Sequence, residues 1–143
     1  MKVREALQEH HRLYDFGTTP GGYDDRWARV GFGPFTIRFP NFKARADALR
    51  LHDINHIVTG YPPIQWKGEM ELAYFEFGTG LGKFWAGWMF DSLAIILALR
   101  WPISAWRAFR RGFNSRRSLY RHYTYNSQLL EKSVEGLRAE LGI

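Results

Sequence analysis

Apolar residues recur at helical spacing through most of the chain. Val3, Leu7 and Leu13, set among charged residues, predict a short amphipathic helix from Val3 to about Tyr14. Gly17 to Asp25, GTTPGGYDD, is a turn-rich break. In RVGFGPFTIRFP, Arg29 to Pro40, the alternation of Phe35, Ile37 and Phe39 predicts extended chain or one short strand. Pro34 and Pro40 limit it, and no partner strand is evident. Asn41 is a fair N-cap for a helix running to about Thr59 and ended by Gly60, with Leu49, Ile54, Ile57 and Val58 on its buried side. After the loop GYPPIQWKG, a helix opens at Glu69 and stops near Gly78 to Gly82. Lys83 to Leu99 is nearly all apolar, Pro102 permits a fresh start for Ile103 to Phe113, and Ser115 to Leu141 predicts one last long helix. Leu119, Leu130, Val134, Leu137 and Leu141 form the inner side of that last helix. The expected fold class is all-α, a single-domain bundle of about five to six helices with an irregular, partly extended segment near residues 29–40. At 143 residues the chain is long enough to bury roughly two thirds of its unfolded surface. Residues 1–143 are therefore expected to form one domain, without linker or repeat.

Composition narrows the chemistry. There is no cysteine, so disulfides, thiolate metal sites and a cysteine nucleophile are excluded. Any metal must be held by nitrogen and oxygen, which suits zinc first, with iron or manganese as alternatives. MKVREALQEHHRLYDF has no apolar stretch behind its basic residues, so a signal peptide is not expected and a cytoplasmic protein is the simplest reading. The net charge of +6 is uneven: Ser92 to Leu130 holds seven arginines and no acidic residue, leaving the rest of the chain close to neutral.

HDINH places His52 and His56 one helical turn apart on one face, where two imidazoles can share an ion. Asp53 lies at the edge of that face, as a direct ligand or as a group that orients an imidazole. Glu69, across the loop from Gly60 to Gly68, is well placed as a further ligand. Three or four nitrogen and oxygen ligands leave room for water or substrate, the pattern of a catalytic site. By itself HDxxH is compatible with two surface histidines and a solvated aspartate. The HExxH protease reading fails because Asp53 stands where the glutamate base is needed. A phosphohydrolase of the His-Asp type would need His10 or His11 upstream and Asp91 downstream, in poor contexts.

LHDINHIVTGYPPIQWKGE resembles the signature of the coenzyme Q (ubiquinone) biosynthesis family called Coq-four, written HDxxH, about eleven residues, then E. PNFKARADALRLHD, GEMELAYFEFGTG, RRGFNSRRSLY and GLRAELGI are similar to further family blocks. The resemblance covers roughly residues 40–143; residues 1–40 are unmatched. Twelve residues separate His56 from Glu69, one more than the family spacing. The resemblance implies metal ligation by His52, Asp53, His56 and Glu69, with Glu69 and Asp53 as candidate catalytic groups. It also implies an all-helical, often dimeric protein handling a ring with an isoprenoid tail. It would serve either as a catalyst of oxidative C1 decarboxylation or as a non-catalytic lipid-binding scaffold for other quinone-making proteins. A specialised-pathway enzyme that reuses the metal site on another substrate is a third reading. Glu71 and Glu76 are candidates for proton transfer or ligand support, with solvated helix positions the plainer reading.

The apolar helix has sixteen residues from Phe84 to Leu99, interrupted by Asp91 and Ser92. A spanning helix needs about 20, and a mid-span Asp costs roughly 3 kcal/mol. It is therefore read as buried or lipid-facing. Trp85, Trp88, Met89, Leu93 and Leu97 are candidates to line a channel for an apolar tail, with Tyr61 and Trp66 at the pocket rim. WPISAWRAFRRGFNSRR mixes Trp101, Trp106, Phe109 and Phe113 with arginines, the make-up of an interfacial helix. The expected partners are a prenylated or apolar aromatic small molecule and an anionic membrane surface, with the protein peripheral to the membrane. Nucleic acid is not expected, since the basic block carries no recognisable binding motif.

Overall fold

The computed structural model describes residues 1–14, 26–32, 35–40, 43–82 and 94–143. Helices carry the core: α1 (Val3–Tyr14), α2 (Lys43–Thr59), α3 (Trp66–Thr79), α4 (Pro102–Phe113), α5 (Leu119–His122), α6 (Ser127–Glu131) and α7 (Val134–Leu141), with one further helical turn at 94–97. The all-helical class is as the hydrophobic spacing predicts. The extended segment does have a partner. β1 (Trp27–Phe32) and β2 (Phe35–Pro40) pair antiparallel, with Val30 opposite Ile37 and Phe32 opposite Phe35. Two strands alone make a marginal sheet, and this hairpin is an appendage to a helical fold.

The main core joins both ends of the chain. Val3 and Leu7 of α1, Leu51, Ile54 and Val58 of α2, and Leu137 and Leu141 of α7 are buried in one cluster with Leu81, Leu119 and Leu129. The backbone is sewn across the same seam: Val3 N–H donates to the Lys132 carbonyl at 2.9 Å and Val134 N–H to that of Met1 at 3.1 Å. Leu13, expected inside, is 58% exposed, because the inward face of α1 runs through Val3, Ala6, Leu7 and His10. Leu49, Ile57 and Leu130 are partly buried.

The expected helix from Ser115 to Leu141 is three short ones. Tyr123 and Lys132 are extended, and the side chains of Asn126 and Ser133 accept from the N–H groups of Leu129 and Gly136, so each restarts a helix. Local caps override the continuous apolar spacing. The helix after the loop opens at Trp66 rather than Glu69, which places Glu69 in its first turn. Its carboxylate Oε1 accepts the Ile64 N–H at 2.7 Å, returning to a donor ahead of the helix as a capping glutamate does.

α3 and α4 approach closely through small residues. A Cβ on Gly112 would collide with the Phe75 carbonyl, and one on Gly78 with that of Phe109. Ala105, Ala108 and Gly112 are the buried positions of α4, packed on Met70, Ala73, Leu72 and Phe75. The large apolar residues of α4 face outward: Ile103 is 67%, Trp106 61% and Phe113 70% exposed. No described helix is long and apolar enough to cross a membrane.

Gly112→Ala sets two effects against each other. Alanine gains about 1 kcal/mol in helix propensity, but overpacking against rigid backbone costs roughly 1–3 kcal/mol. The contact is with a carbonyl that no rotamer can clear, so the clash dominates. Thermal unfolding should show a lower Tm, and a Tm equal to wild type or above it would mean that α3 and α4 stand further apart.

Candidate metal centre

α2 supplies two imidazoles and α3 two carboxylates. On α2, His52 and His56 stand one turn apart, with ring centroids 4.9 Å apart and planes at 89°. On α3, Glu69 and Glu76 are seven residues apart, two turns along one face. His52 Nε2 lies 3.4 Å and His56 Nε2 3.3 Å from the same oxygen, Glu69 Oε2. One donor atom from each of these three residues falls within 4.8 Å of the others, a group able to hold a metal ion.

The other nitrogen of each ring is anchored. His56 Nδ1 is 2.9 Å from the Tyr61 carbonyl, which can only accept, so Nδ1 carries the proton and Nε2 presents its lone pair to the site. His52 Nδ1 is 3.2 Å from Glu76 Oε2. Glu76 is fully buried and also accepts from Asn55 Nδ2 at 2.7 Å and the Tyr120 hydroxyl at 3.1 Å. Carbonyl and carboxylate partners on the far nitrogen are how metal-binding imidazoles are fixed in tautomer and direction.

The set fits a divalent ion on three counts. Ligands 2.0–2.1 Å from a tetrahedral ion stand about 3.3–3.4 Å apart, which is the spacing of the two Nε2 atoms from Glu69 Oε2. A charge-assisted hydrogen bond would be shorter, roughly 2.7–2.9 Å. With both carboxylates ionised and both imidazoles neutral, as metal ligation requires, the set would carry two negative charges, which a dication balances. The electrostatics point the same way. Burial works against a charge on Glu69, but the two imidazoles outweigh it and hold its carboxyl well below the usual range. Burial also disfavours a charged His52, and the Glu76 and Glu69 carboxylates outweigh it, raising its pKa well above the ordinary value. The site is built to hold positive charge.

Asp53 does not join these donors. Its side chain leaves α2 toward α1, where Oδ2 meets His11 Nε2 at 3.2 Å. The adjacent His52 and Asp53 thus serve different neighbours, contrary to the four-ligand expectation. His10 lies beside them, its ring stacked 6.0 Å from that of His56. Tyr61 sits in the site's loop, its ring against Phe75 and beneath the Arg111 guanidinium at 5.4 Å. Trp66 is 73% exposed at the start of α3. Trp85, Trp88, Met89 and Leu93, and with them the channel reading, lie outside the described residues, as does Asp91. Leu97 is partly buried against the Met70 cluster.

Glu76 is the group that sequence reasoning undervalued. Its two-turn separation from Glu69 was the available signal, since it puts both carboxylates on the α3 face toward HDINH. Glu71, by contrast, faces Lys67 at 3.8 Å as an ordinary helix-surface pair. Compared with known protein families, curated proteins and solved structures, the chain matches none.

The centre should bind about one zinc per chain, and His56→Ala should abolish uptake in a competition titration with a chromophoric chelator. Glu76→Gln should weaken zinc by about 10–100-fold, as loss of a ligand's supporting partner does, while Glu71→Gln should leave it unchanged. Equal affinities for the two glutamine variants would refute the supporting role of Glu76.

Proposed function

We propose that this chain is a metal-dependent protein of the ubiquinone-biosynthesis type that acts on a prenylated or otherwise apolar aromatic ring. The observation that carries this reading is the convergence of His52 Nε2, His56 Nε2 and Glu69 Oε2, with each imidazole anchored from behind. The resemblance of HDINH and its downstream glutamate to the Coq-four signature supplies the substrate class. Three protein ligands leave a position open, and the ion, when bound, would polarise a substrate oxygen or activate water. Glu69 is held for its task by the Ile64 N–H, and Glu76 keeps His52 aimed. Asp53, paired with His11, lies to one side and is given no ligand role.

The reading is tested with the zinc-, iron- or manganese-loaded protein and a prenylated aromatic ring acid, with dioxygen supplied as oxidant. Release of the ring carboxyl as carbon dioxide should fall by at least about 100-fold, roughly 3 kcal/mol, in His52→Ala. Its helical circular dichroism should persist. Wild type that binds the ring acid without turnover would leave the scaffold reading in its place.

A second element of the proposal is work at an anionic membrane surface. It rests on the inverted character of α4. Ile103, Trp106 and Phe113 face outward with Arg107 and Arg110, next to exposed Ile95, Ile96, Leu99 and Arg100. Arg111 is excluded from this surface: its Nη1 donates to the Thr59 carbonyl at 2.9 Å, and it covers Tyr61 and Phe75. The protein should bind vesicles containing anionic lipid and leave them as salt rises. Arg107→Ala with Arg110→Ala should weaken binding by about 2 kcal/mol, roughly 1 kcal/mol for each basic residue. Indifference of wild type to anionic vesicles at low salt would end this part of the proposal.

A further inference from the structure

Beside His56 lies a second feature, a cleft of about 340 Å³ between α1 and the loop that follows α2. That volume is at the small end of the range for small-molecule sites. Its floor is aromatic. The rings of Tyr14 and His10 are 5.1 Å apart, and His10 stacks on His56. One wall is Tyr61, Pro62 and Pro63, and the opposite rim includes Leu13, which accounts for that leucine's exposure. Among the described residues neither Lys nor Arg lines the cleft, Glu9 is the one acidic side chain at its edge, and Met1 is a further lining residue. The lining is mainly apolar and aromatic and suits a neutral, flat, apolar molecule, because the rings offer stacking, the apolar walls offer burial, and a carboxylate would lose its hydration there.

The wall of this cleft is also the support of the metal centre. The loop from Gly60 to Gln65 holds two of the three donor residues. Its Tyr61 carbonyl fixes His56 Nδ1, and its Ile64 N–H fixes Glu69 Oε1. The loop has little freedom to give. Ile64 is a β-branched residue at φ +66°, an unfavourable conformation. Behind it, Gly68 lies so close to Pro62 that a Cβ there would strike the Pro62 carbonyl. A molecule seated in the cleft bears on Tyr61 and Pro62, and so on the groups that aim His56 and Glu69.

We infer that this cleft is a binding site for a neutral apolar ring compound, and that its occupancy and metal binding reinforce each other through the Gly60–Gln65 loop. The inference rests on the metal reading above for its second half. An occupant that buttresses Tyr61 and Pro62 holds the carbonyl against His56 and tightens the ion. By linkage, the ion must tighten the occupant by the same factor.

The test uses 4-hexylphenol as probe and the intact chain, titrated calorimetrically in zinc-loaded and zinc-free form. The zinc-loaded protein should bind the phenol at least about fivefold more tightly than the zinc-free protein, the lower end of ordinary coupling. A chelator competition should return the same factor for zinc with and without saturating phenol. The anionic 4-hexylbenzoate should bind more weakly than the phenol. Leu13→Asp should weaken phenol binding at least about tenfold and shrink the zinc effect, whereas Gln128→Asp, at an exposed position of α6 outside the cleft lining, should change neither. Phenol binding that ignores Leu13→Asp, or no phenol binding by either form, overturns the site. Benzoate binding as tight as phenol overturns the neutral ligand class. Equal phenol affinity with and without zinc overturns the coupling. A protein that takes up no zinc yet binds phenol in a Leu13-dependent manner overturns the metal reading and the coupling while supporting the cleft.

Discussion

A carboxylate with no exposed surface must be met by donors from every side, and in this fold Glu76 sets that condition. An unpaired buried charge would cost several kcal/mol, so the elements around it are fixed by its needs. His52 and Asn55 reach it from α2 and Tyr120 from α5, while Glu76 itself stands on α3. The two contacts from α2 fix the rotation that turns the His52 and His56 Nε2 atoms toward Glu69. The helix pair that forms the metal centre is thus positioned from the side away from the ion.

The end of α2 shows the same economy. Its last carbonyls have no helical partners. Arg138 of α7 donates to those of Ile57 and Val58, at 3.0 and 2.8 Å, and Arg111 of α4 donates to that of Thr59. Cations at a helix C-terminus are also favoured by its dipole. The arginine content that suggests a charged surface is therefore divided. Arg111 and Arg138 close the helix that carries HDINH, and Arg107 and Arg110 remain outside.

Close approach of α3 and α4 has a consequence for the surface. Gly78, Ala105, Ala108 and Gly112 let the two backbones meet, and only small residues fit there. The bulky apolar residues of α4 are consequently displaced to its other face. An amphipathic pattern in the sequence says that a helix has two unlike faces; it does not say which one is buried. Here the small-residue face is inside, and the outward Ile103, Trp106 and Phe113 gain their meaning from that choice.

The sequence by itself determined the helical class, the course of α1, α2 and α4, and the pairing of His52 with His56. Each depends on spacing along one helix, a local property. It also marked Glu69 as their partner, from its place at the start of the next helix across a short loop. Only the tertiary structure decided which side chains meet across elements. It turned Asp53 toward His11, buried Glu76, broke the last helix at the caps of Asn126 and Ser133, and gave β2 a partner in β1. It also set α1 against His56, where no spacing rule could place it. The reason is physical: periodicity fixes the face a residue occupies on its own helix. The neighbour that face meets is fixed by long-range packing, by the demand of a buried charge for donors and by the fit of small residues between backbones.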